Sequence, residues 1–131
     1  MVMYNRNFSD GSYGKEVIID LYDCDREKMT EEHVVNFIQQ LVKKVDMETH
    51  GEPMVWTNNE SDEPHLRGTS AMQFITTSNV VVHTLSLTGL VLVNLFSCKP
   101  FNEHIVLDFA KEFFDTYCYD MQTIMRGRLP A

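Results

Sequence analysis

The chain has 131 residues, 11 Lys and Arg against 19 Asp and Glu for a formal net charge of -8, 44% hydrophobic residues and three cysteines. That length suits one domain spanning residues 1–131, since a domain takes roughly 100–200 residues, and a core of this size needs no metal or disulfide staple. The acidic balance speaks against a nucleic-acid partner or an anionic membrane surface, and an odd cysteine count without a C-x-x-C pair excludes a fully paired disulfide framework and the usual zinc signatures.

The N-terminal stretch through Lys15 has no long apolar run behind a basic start, so it is not expected to act as a secretory signal. The longest apolar stretches, Val80 to Val82 and Leu90 to Val93, are far shorter than a membrane helix requires. A soluble, cytoplasmic protein is the expectation. Val17, Ile18, Ile19 and Leu21 read as a buried strand that ends in the polar cluster Asp23-Cys24-Asp25. Val34, Phe37, Ile38, Leu41, Val42 and Val45 then recur at helical spacing, with Thr30 or Asp25 available as the cap. A short strand from Met54 to Trp56 leads into Thr57 to Gly68, whose Asn, Ser, Asp, Pro and Gly content marks a loop.

Three β-rich runs follow, Thr69 to Thr76, Val80 to Thr84 and Leu90 to Phe96, close enough in sequence to be antiparallel neighbours. After Pro100, Asn102 caps a second helix, Phe101 and Val106 sit at the spacing of a hydrophobic staple, and Phe109, Phe113 and Phe114 extend its apolar face. A last strand runs from Met121 to Met125, before the basic Arg126-Gly127-Arg128. The order β α β β β β α β predicts an α+β fold, a two-layer sandwich with two helices on one face of an antiparallel-rich sheet. The other face must meet something, and a second copy of the chain, a homodimer, is the economical partner.

No P-loop, G-x-G-x-x-G, H-E-x-x-H or EF-hand pattern occurs. What remains is a set of reactive side chains on or beside the central strands: Ser70, Ser78, His83 and Cys98. Taken singly, each has a plain structural reading. Ser78-Asn79 between two apolar strands is ordinarily a turn, His83 a hydrogen-bonded strand histidine, and Cys98 a small buried hydrophobe. Strand alternation puts Ser78 and His83 on opposite faces unless the chain bends at Ser78.

Four blocks carry more: Gly14 with Asp20-Leu21-Tyr22-Asp23-Cys24-Asp25, Gly68-Thr69-Ser70, Thr77-Ser78-Asn79-Val80-Val81-Val82-His83-Thr84, and Asn94-Leu95-Phe96-Ser97-Cys98. In order and spacing this chain resembles the short bacterial and archaeal form of S-adenosylmethionine decarboxylase, from Gly14 to about Arg128. The resemblance implies an enzyme of polyamine and spermidine biosynthesis whose cofactor is a pyruvoyl group made from its own serine, with no pyridoxal phosphate and no metal. Ser78 would attack the Thr77 carbonyl, and an ester, a β-elimination and a hydrolysis would leave a β chain of residues 1–77 and an α chain of residues 78–131. His83 and Ser70 would act in this processing, and Cys98 would return a proton to the substrate after CO2 leaves.

The family has glutamate before the cleaving serine and usually histidine after it, where this chain has Thr77 and Asn79. Its Trp-Pro-Glu after His-Thr is replaced by Leu85-Ser86-Leu87, and its stacking aromatic has no counterpart in Pro64-His65-Leu66. By position Leu66, Leu85 and Leu87 fall where the family binds adenosine, and leucine accepts no hydrogen bond from ribose. Three functions are therefore open: a decarboxylase of S-adenosylmethionine, one acting on ornithine or arginine, or an uncleaved, non-catalytic binding or regulatory homologue.

Overall fold

The structure, a computed structural model, describes residues 8–128. The first seven residues of the N-terminal stretch read above lie outside it. Six strands and two helices follow the expected order: β1 (Gly14–Tyr22), α1 (Glu31–Lys44), β2 (Met54–Asn58), β3 (Gly68–Ile75), β4 (Ser78–Leu85), β5 (Leu90–Ser97), α2 (Glu103–Phe114) and β6 (Cys118–Arg126). The strands form one sheet in the order β2-β3-β4-β5-β1-β6, every neighbouring pair antiparallel, with β2 and β6 at its edges. No helix among the described residues is long and apolar enough to cross a membrane.

Alternation along each strand divides the sheet into two faces. One carries Val17, Ile19, Leu21, Val80, Val82, Val91, Val93 and Leu95, all buried under the helices. Helix α1 contributes Val34, Phe37, Ile38, Leu41 and Val42, and α2 contributes Val106, Leu107, Phe109, Ala110 and Phe114. Phe37 is the centre of the aromatic cluster, stacked on Phe109 at 5.4 Å and tilted against Phe113 and Phe114.

Both expected caps of the first helix are used, by different elements. Asp25 accepts from the Glu27 N–H and starts a 3-10 turn over Arg26–Met29, and Thr30 accepts from the His33 N–H and starts α1. Asn102 caps α2 as expected.

Helix α2 is tied to β1 by Lys15, whose ammonium donates to the Glu103 carboxylate at 2.6 Å. That hydrogen bond, with the helix N-terminus nearby, holds the Glu103 carboxyl below its ordinary value. A carboxyl whose folded value is lowered adds stability that is present above its unfolded value and lost as pH falls through the folded one. Lys15→Met should therefore lower the urea midpoint relative to wild type near neutral pH. The gap should begin to narrow as the pH falls below the unfolded value of about 4.3 and close only below the lower folded one.

Candidate active site

The turn between β3 and β4 sets the site. Ile75 pairs with Ser78, so Thr76 and Thr77 alone make the turn, and Thr77 has φ +51° in the left-handed region. Glycine or asparagine suits that position; a β-branched residue there is strained by about 1–2 kcal/mol. The strained residue is the one whose carbonyl precedes Ser78.

Ser78 opens β4 on the helix-covered face and is buried. Its hydroxyl lies 3.3 Å from the Ser97 hydroxyl, accepts the Cys98 backbone N–H at 3.3 Å, and stands 4.0 Å from the Cys98 sulfur. Cys98 is fixed from the other side by the Thr77 hydroxyl, 2.7 Å from its sulfur. Burial pushes the Cys98 thiol up, but hydrogen bonds from Thr77, Tyr13 and Ser78 outweigh it and hold the thiol below its ordinary value. The group lines a pocket of about 400 Å³ together with Asp46, Glu48 and Lys99, where the Lys99 ammonium donates to the Asp46 carbonyl and carboxylate.

Ser70 and His83 form a second pair. They face each other across the β3–β4 ladder, with the Ser70 hydroxyl 2.7 Å from His83 Nδ1. Both lie on the open face, beside a groove of about 230 Å³ walled by Met54, Trp56, Met72 and Val81. The bend that would bring Ser78 and His83 together does not occur between them, because the turn falls at Thr76-Thr77 and β4 alternates without interruption from Ser78 to Leu85. Five residues of strand set them about 16 Å apart along the chain, on opposite faces.

Of the expected substrate positions, Leu66 is exposed in the loop before β3, Leu85 is half-buried at the end of β4, and Leu87 is exposed in the next turn. None of the three lines either pocket. Sequence reasoning did not single out Tyr13, the Thr77 hydroxyl or Trp56. Only Trp56 left a usable signal, as the sole tryptophan in a strand alternating with Met54. Cys24 is buried, and burial first, then the nearby Asp23, pushes its thiol up to about 12. Cys118 is exposed on β6. The basic C-terminal residues make ion pairs, Arg126 with Glu16 and Arg128 with Asp10.

A profile of the S-adenosylmethionine decarboxylase family matches residues 15–127, nearly the whole described chain. The chain belongs to that family. The adenosylmethionine decarboxylase of Aquifex aeolicus VF5 has a similar solved structure, with a TM-score of 0.78 at 18% identity over 91% of this chain and 94% of that one. At that identity the likeness shows the shared α+β sandwich of the short prokaryotic S-adenosylmethionine decarboxylases. The family is one of carboxy-lyases that depend on a pyruvoyl group. Ser78 at a strained turn, on the wall of a pocket and against a thiol, suits the formation of such a group there.

Proposed function

We propose that this chain cuts itself between Thr77 and Ser78 and, as chains 1–77 and 78–131, decarboxylates S-adenosylmethionine for the synthesis of spermidine and related polyamines. The observation that carries this reading is the strained Thr77-Ser78 turn held against the Cys98 thiol. A carbonyl at residue 78 supplies an electron sink for the pair left when CO2 departs. Ser78 Oγ is the nucleophile toward the Thr77 carbonyl, and Cys98 Sγ holds the proton destined for the substrate α-carbon. An unpaired Cys98 supports placing the protein in a reducing compartment such as the cytoplasm.

Processing also needs a base, and His83 with Ser70 at 2.7 Å is the matching group. His83 of the same chain is out of reach, on the opposite face and about 16 Å along the strand. A homodimer closes the distance along the strand if two open faces pack about a two-fold axis that crosses the strands near Val80, bringing the partner's His83 to the exposed Thr77 of the turn. The axis exchanges the Ser70–His83 level of one sheet with the Thr77–Cys98 level of the other. The exposed Met54, Trp56 and Phe74 of that open face give the packing its apolar area.

A second reading keeps the chemistry on a different amino acid, ornithine or arginine. Its motive is Leu85 and Leu87 in place of groups that hold ribose, beside an acidic loop at Glu60, Asp62 and Glu63. The test is an intact-mass spectrum followed by CO2 release. Two fragments meeting at Thr77-Ser78, with release from S-adenosylmethionine, are expected. Release only from a basic amino acid would transfer the chemistry to the second reading. An unbroken 15.2 kDa chain would make the protein a non-catalytic binding or regulatory homologue.

A further inference from the structure

Cutting a peptide next to Cys98 changes the charge around its sulfur. We propose that self-cleavage turns Cys98 into a proton donor by planting the new C-terminal carboxylate of Thr77 against its sulfur. The inference rests on the cleavage proposed above and goes beyond it, since it assigns Thr77 a role after the cut.

The atoms can be followed. Attack by Ser78 Oγ on the Thr77 carbonyl carbon replaces the Thr77–Ser78 C–N bond with a C–O ester bond, and the freed nitrogen takes up a proton. Elimination removes the α-proton of residue 78 and breaks its Cβ–Oγ bond, so that oxygen departs with Thr77. Water then converts the remaining dehydroalanine to the carbonyl with loss of ammonia. One oxygen of the Thr77 carboxylate is thus the former Ser78 Oγ. In the uncut chain that oxygen accepts the Cys98 N–H at 3.3 Å and stands 4.0 Å from the Cys98 sulfur. The carboxylate forms where a backbone donor already points.

Before the cut, the neighbours of the sulfur are hydroxyls, Thr77 at 2.7 Å among them, and together they favour the thiolate. Afterwards a full negative charge stands within a few ångströms, and a like charge at that range disfavours the thiolate. No compensating cation is created, because the other new end carries a carbonyl where an ordinary chain end has an ammonium. The charged groups lining the same pocket are Asp46, Glu48 and Lys99, and the Lys99 ammonium is taken up by Asp46. A thiol in this setting keeps its proton until the substrate carbon takes it. Thr77 acts through Cys98 and is a positioning residue.

Alkylation of Cys98 by iodoacetamide across pH, read by mass in its own peptide apart from Cys24 and Cys118, tests this. Cut wild-type protein is compared with uncut His83→Ala and Ser70→Ala chains, which leave the contacts of Cys98 within its own chain intact, the second also keeping the partner's His83 in place. The midpoint in the cut protein should lie at least one pH unit higher, about a tenfold slower reaction at a pH below both midpoints. In the uncut background Thr77→Val should raise the midpoint by removing the hydroxyl, and Thr77→Asp, which also brings a carboxylate against the same sulfur, should raise it further. Thr77→Ser should leave it in place. Equal midpoints in cut and uncut protein, or a Thr77→Asp midpoint no higher than that of Thr77→Val, overturn the switch alone. A wild-type chain that stays at 15.2 kDa overturns the cleavage reading and the switch with it.

Discussion

Ser78→Ala and His83→Ala chains, each uncut when made alone, are expected to yield cut protein when expressed together. In a mixed dimer the Ser78→Ala subunit lends an intact Ser70–His83 pair to the intact Thr77-Ser78 turn of the other subunit. With equal expression about half of the His83→Ala chains sit in mixed dimers, and that half should appear as fragments 1–77 and 78–131. The Ser78→Ala chains should stay whole throughout. Ser78 and His83 are five residues apart on one uninterrupted strand, about 16 Å and on opposite faces, so a His83 that reaches the Thr77-Ser78 turn must come from the other subunit. If both groups worked within one chain, mixing would restore nothing, and a mass spectrum of the mixture without fragments would end the shared-site reading.

Gly68→Ala should be the most disruptive small substitution in the sheet, lowering stability by about 3 kcal/mol or more in a urea titration. A Cβ at residue 68 would fall 1.7 Å from the Thr84 carbonyl oxygen, a backbone atom that cannot rotate away. The crowding has a visible source. The Thr84 hydroxyl accepts the Thr69 N–H at 3.2 Å and donates to the Thr69 carbonyl at 2.9 Å, drawing the two strands together one position from Gly68. Separating them there moves Ser70 off His83, two residues further along the same ladder. Processing should therefore fail in this variant at temperatures where the rest of the fold survives. A variant as stable as wild type would show that the ladder absorbs the extra methyl.

The layers were legible because burial of one face imposes a period on the residues. Val80 and Val82 or Val91, Val93 and Leu95 alternate for that reason, and the Phe37 stripe recurs at helical spacing for the same one. The edges were less legible. Strand β2 runs on to Asn58 through residues that look like a turn, because the Thr57 hydroxyl bonds that of Thr69 on the neighbouring strand. Strand β6 begins at Cys118, three residues before the apolar pattern does, since an exposed edge needs only the backbone ladder to β1.

At the site, the opposite facing of Ser78 and His83 could be read from an odd spacing. Their partners could not: Ser70 meets His83 through a register fixed by the length of the intervening turn. The contact of Thr77 with Cys98 depends on a left-handed turn residue that no local pattern announces.

The position of β2 and β6 has a further consequence for how the protein behaves at high concentration. Packing two sheets face to face covers side chains and leaves every outer row of backbone N–H and C=O groups unpaired, so a dimer would carry four such rows, each able to recruit another strand. On β6 the neighbouring charges of Asp120 and Arg126 oppose that recruitment. Strand β2 begins with the apolar run Met54, Val55 and Trp56 and carries no charged residue. Its main safeguards are a length of five residues and Pro53 just before it, so lateral growth into fibres would begin at β2, and a lysine placed there is the economical remedy.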